Sequence, residues 1–103
     1  MDQDAVQRAR VLLLGSNRRV LRGPDALRVY RVLTQVSPEV YGSKLAYVLV
    51  EASRSPRLSD LPQVRLALLD EAIEVAEALH QANPFRAKVL ARALDARRQE
   101  RTG

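Results

Sequence analysis

The single histidine, His80, follows Glu77 by three residues, and Glu-x-x-His can place two metal ligands on one helix face. A carboxylate-bridged dimetal site needs that motif twice, with two further carboxylates. The chain has it once, so a solvated Glu–His pair is expected and no metal. Asp70, Glu71, Glu74 and Glu77 are the residue types of acid–base catalysis. General catalysis needs a carboxyl tuned by burial, whereas helical spacing puts Asp70, Glu74 and Glu77 together on one polar face. Gly15-Ser16-Asn17-Arg18-Arg19 joins a glycine to polar and basic residues, without the spacing of a phosphate-binding loop. It reads as a helix end. Cysteine is absent, which removes disulfides, zinc–thiolate sites and thiol nucleophiles. The sequence points away from an enzyme and implies no cofactor.

The elements that carry these residues are helical. Asp4 can cap a first helix whose apolar positions Ala5, Val6, Ala9, Leu12 and Leu13 follow a three-four rhythm. Gly23-Pro24-Asp25 opens a second, with Ala26, Leu27, Tyr30 and Leu33 inward, ending at Ser37. Ser37-Pro38-Glu39 restarts the chain, a polar N-cap followed by proline, and Tyr41, Leu45, Val48, Leu49 and Ala52 form the next stripe. Gly42 inside that helix predicts a close helix crossing or a bend. Residues 53–62, with two prolines and three serines, form the one clear loop. A long amphipathic helix is predicted from Leu61 to about Ala82, with Val64, Leu68, Leu69, Ala72, Ile73, Ala76 and Leu79 inward. Asn83-Pro84 then caps and begins a last helix with inner line Ala87, Leu90, Ala91 and Leu94, fraying over residues 97–103. The expectation is one all-α domain over residues 1–103, built from about five helices.

The chain is 103 residues, 47% hydrophobic and 28% charged, enough for one modest core. Its apolar run Val11–Leu14 is too short for a signal peptide or a membrane span, so a cytoplasmic protein is expected. The net charge of +5 is unevenly spread. Residues 60–83 carry a local −4 and the remainder +9, concentrated in two arginine-rich flanks.

One pattern recurs. Ala26, Tyr30, Leu33 and Pro38 are repeated in spacing by Ala72, Ala76, Leu79 and Pro84, 46 residues further on. A small residue for close approach, bulky ones for the groove between neighbours, and a proline at a helix start resemble the second helix of the tetratricopeptide repeat. That resemblance implies antiparallel helical hairpins stacked as a short superhelix, the alternative being a compact helical bundle. Two departures stand out. The repeat is 46 residues rather than about 34, and two copies fall short of the three or so a solenoid needs.

Two function classes follow. The resemblance implies a protein-interaction module that takes a partner helix or peptide, or a second copy of itself, in a groove lined by Val11, Leu45, Leu49 and Ala52 with Lys88 at the rim. The charge distribution supports a second reading, a small basic protein that contacts nucleic acid without sequence preference through Arg18, Arg19, Arg22, Arg97, Arg98 and Arg101.

Overall fold

The computed structural model describes residues 24–102, with side chains for residues 25–100. The expected first helix, with Val11, and the arginines at 18, 19 and 22 lie outside them. All regular structure among the described residues is helical: α1 (Pro24–Val36), α2 (Pro38–Ser53), a 3-10 turn (Pro56–Leu58), α3 (Pro62–Glu77) and α4 (Arg86–Thr102). The buried apolar residues of all four helices form one cluster. The result is an all-α bundle.

A proline stands first in α1, α2 and α3, where a missing N–H costs nothing. One residue, Ser37, separates α1 from α2. Its N–H donates to the Leu33 carbonyl, and its own carbonyl accepts from Val40 and Tyr41. Its side chain makes no capping bond, so the expected polar cap is supplied by backbone alone. The second proline joint differs. Asn83 Oδ1 accepts from the Phe85 N–H at 3.0 Å, and the helix begins only at Arg86.

Helix α2 is central. It packs against α1, α3 and α4, while α3 also packs on α4. Leu45, Ala46, Val48, Leu49 and Val50 are buried, which spreads burial around the helix instead of confining it to one stripe. Each large side chain of this kind contributes about 1.5–3 kcal/mol when buried. Gly42 resolves as a close crossing. A Cβ there would lie 2.8 Å from Leu79 Cδ2 and 3.6 Å from Val75 Cγ1. The six apolar residues of the recurring signature, Ala26, Tyr30, Leu33, Ala72, Ala76 and Leu79, are all buried.

Three boundaries depart from the sequence expectation. Helix α3 stops at Glu77 and not near Ala82, because groups beyond it are captured by tertiary bonds. The His80 N–H donates to both carboxylate oxygens of Glu39, at 3.1 and 3.0 Å. Helix α4 buries Val89, Ala93 and Ala96, leaving Ala87, Ala91 and Leu94 exposed and Leu90 partly covered. With so little apolar content, its rotation follows small residues at close crossings and its ion pairs, not its leucines. The tail expected to fray from Arg97 is helical through Thr102, held by Arg97 on Asp70 and Arg65 on Glu100. On α3, Val64 is exposed where the periodicity placed it inward.

The Gly42 crossing gives a graded prediction. Gly42→Ala gains roughly 1 kcal/mol of helix propensity. That gain offsets a small turn of the Leu79 side chain, and stability is expected within about 1 kcal/mol of the parent. Gly42→Val has no such escape and should lose about 2 kcal/mol in urea unfolding. Equal stability of the valine variant would contradict the close crossing.

Candidate functional site

The directions of the helices decide which residues share a surface. Glu39, at the start of α2, bonds His80 and Asn83 between α3 and α4. Arg65, early in α3, bonds the carbonyls of Leu58 and Ser59 and the carboxylate of Glu100 late in α4. Helices α2 and α4 therefore start at the same end and run parallel. Arg92 links them midway. Its guanidinium lies 4.2 Å from the Tyr47 ring centroid, and its Nη2 is 3.9 Å from Glu51 Oε1.

Along α2 the positions 40, 44, 47, 51 and 54 follow helical spacing and trace one stripe: Val40, Lys44, Tyr47, Glu51 and Arg54. On the other side Lys88 and Arg92 of α4 share one helical stripe with Phe85 just before the helix, and Arg92 reaches the α2 stripe at Tyr47 and Glu51. Val40 is 59% exposed and Phe85, the single phenylalanine, 58%. Tyr41 and Tyr47 are half-buried, packed on the core by one edge. Lys44 Nζ sits 5.8 Å from the Tyr41 ring centroid. Such ring–cation contacts contribute about 0.5–2 kcal/mol and hold the cations in place at the surface.

Elsewhere five of the seven described arginines, Arg28, Arg31, Arg65, Arg97 and Arg98, are ion-paired. Residues 25–100 hold eleven Lys/Arg and ten Asp/Glu, a net +1 against +5 for the whole chain. Arg31 bonds Glu71 through two parallel contacts, Nε to Oε2 at 2.9 Å and Nη2 to Oε1 at 2.6 Å, tying α1 to α3. Hydrogen bonding to Glu71 holds the Arg31 guanidinium above arginine's ordinary value, opposed by burial and aided by the carboxylate charge. A raised folded-state value means that this contribution is present below the unfolded value and lost only as pH rises through the folded one. On the arginine side it is flat across neutral pH. The pair is partly exposed, so it contributes no more than about 1 kcal/mol. Asp70 and Glu71, expected on a solvated face, instead reach the neighbouring helices α4 and α1 respectively. Glu74 and Glu77 are exposed, as expected.

The residues singled out from sequence separate into groups. Leu45 and Leu49 are 3% and 0% exposed, so they are core and do not line an open groove. The correction has a plain cause. As the central helix, α2 buries the stripe that a peripheral helix would leave free. Ala52 is half-buried, and Lys88 is exposed on the α4 side of the shared face. Arg97 is paired with Asp70 and Arg98 with Asp95, at 3.6 Å for the latter. The side chain of Arg101 lies outside those described. His80 lies beyond the end of α3 and does not form a helix-face pair with Glu77; its Nδ1 accepts from the Ala82 N–H at 3.0 Å. Among the described residues no group of three or more His, Asp or Glu could hold a metal ion, and no helix is long and apolar enough to cross a membrane. Sequence reasoning missed Glu39, Lys44, Tyr47 and Arg92. The period of the α2 stripe was visible, but it needed the knowledge that Leu45 and Leu49 point inward.

Glu39 sets the end of the shared face. Its carboxylate accepts from the His80 N–H and from Asn83 Nδ2, and its carbonyl accepts from Asn83 Nδ2 as well. Arg86 completes the joint by donating to the Leu79 and Glu77 carbonyls freed at the end of α3. Replacing Glu39 with Ala should cost about 1–2 kcal/mol and speed hydrogen exchange at the His80 amide, while Glu39→Gln should cost less. Unchanged exchange in the alanine variant would show that the joint does not depend on this carboxylate.

Compared with protein-family models, curated proteins and solved structures, the chain matches none of them.

Proposed function

We propose that the chain is a non-catalytic protein-interaction module, docking a helix or peptide of another protein, or a second copy of itself, on the face shared by α2 and α4. The observation that carries this reading is the exposure of Val40 in the first turn of α2 and of Phe85 just before α4. Two apolar side chains stand in water on the face that also carries the half-buried Tyr47. Single exposed apolar residues are ordinary on a protein surface. Here they come with the Tyr47 ring and Arg92, residue types enriched where proteins bury one another. The recurring signature supports the same reading from below, because its apolar residues are buried in the scaffold and leave Val40 and Phe85 exposed. The tetratricopeptide-like arrangement remains part of this proposal and rests on the residues quoted for it.

The nucleic-acid reading has less support among the described residues, where Arg97 and Arg98 are already matched by carboxylates.

Val40→Asp combined with Phe85→Ser tests the module reading, because both positions are exposed and the fold should tolerate them. Affinity capture from native lysate, with nuclease added, should retain a stoichiometric protein on the parent and lose it on the double variant. Sedimentation of the parent alone separates the self-association case. A retained set that depends on nucleic acid, or a partner bound equally by the double variant, would overturn the proposal.

A further inference from the structure

The cations of the bundle are not used alike, and the difference indicates what the shared face would take. Among the described arginines, six are ion-paired with carboxylates: Arg28, Arg31, Arg65, Arg92, Arg97 and Arg98. Arg86 is bonded to carbonyls. Of the remaining cations, none of them ion-paired, Arg57 lies in the 3-10 turn, and Lys44, Arg54 and Lys88 lie on the stripes of α2 and α4. Counting Arg92 and Glu51 as a matched pair, the face carries three cations without an ion pair against one carboxylate, Glu39, which is bonded to neutral donors at its end, an excess of two positive charges. The balancing acids lie elsewhere: Glu74 and Glu77 are exposed on α3, against whose other side α2 packs.

We infer that the α2–α4 face accepts an acidic peptide segment carrying apolar or aromatic anchors, its carboxylates meeting Lys44, Lys88 and Arg54 and its anchors packing beside Val40 and Phe85. The inference rests on the interaction-module reading and adds the chemistry of the partner. Charge complementarity selects an acidic ligand. Val40, an aliphatic side chain 59% exposed on the same stripe, favours a peptide over a nucleic-acid strand, since stacking on bases uses aromatic rings and not aliphatic groups. Lys44 and Arg92 are steadied against tyrosine rings, so less side-chain freedom is lost when a carboxylate arrives.

Panning a random peptide library against the full chain tests this. Enriched peptides should combine Asp or Glu with Leu, Phe or Trp. Their affinity, read by fluorescence anisotropy of a labelled enriched peptide, should fall about tenfold in Lys44→Glu/Lys88→Glu. The fall should be smaller in Lys44→Gln/Lys88→Gln, and absent in Glu74→Gln/Glu77→Gln on the other side of the bundle. Circular dichroism confirms that each variant is folded. Enriched peptides without acidic residues, or unaffected by charge reversal at Lys44 and Lys88, would overturn the acidic-partner inference and leave the module reading standing. Absence of any enrichment would overturn both. Displacement of the bound peptide by single-stranded DNA at equal charge would reassign the face to polyanions and likewise overturn the inference.

Discussion

Helix α2 has to be covered on nearly every side, and the rest of the bundle answers that constraint. Leu45, Ala46, Leu49 and Val50 point in directions that no single partner helix could cover. The helices packed around α2 bury small residues: Ala26 of α1, Ala72 and Ala76 of α3 and Ala93 of α4 are all fully buried. Gly42 takes the tightest place, where even a methyl group would press on Leu79. Close approach increases dispersion contacts along the helices but leaves little surface for large core side chains. That trade explains why a chain with so many alanines can hold one continuous core.

Polar contacts then fix the order and rotation of helices that apolar burial alone would leave loosely specified. Each cross-helix ion pair is worth little by itself in water. Their distribution matters more. Glu71 reaches to α1 and Asp70 to α4 from adjacent positions on α3, so the helix is held from both sides. At one end Glu39 collects the donors of the α3–α4 joint, and at the other Arg65 collects the carbonyls after α2 with the carboxylate of α4. The parallel course of α2 and α4 is a consequence of these two clusters, and so is the face that the two helices share.

Much of this was legible in the sequence. The helical class, the single-residue joint at Ser37, the Ser53–Pro62 connection and the inward signature residues follow from proline placement and period alone. Gly42 correctly flagged a special position. What could not be read was the set of long-range bonds. Nothing local says that Glu39 will draw in the His80 amide and end α3 early, or that α4 will turn Val89 and Ala93 inward in preference to Leu94. The site suffered most from this. Leu45 and Leu49 carry the period of a groove wall, but a central helix converts such a wall into core, and the free face moves round to Val40, Lys44 and Tyr47.

Two apolar anchors, a pair of cation-capped tyrosines and three cations without ion pairs together make the α2–α4 face the feature that the rest of the packing does not require. Hydrogen exchange followed by mass spectrometry on the complex captured from native lysate tests that claim most directly. The account predicts slowed exchange over residues 38–54 and 83–92 when the partner is bound, with the outer face of α3 unchanged. Protection confined to α3, or no protection across α2 and α4 in a complex that stays intact, would contradict it.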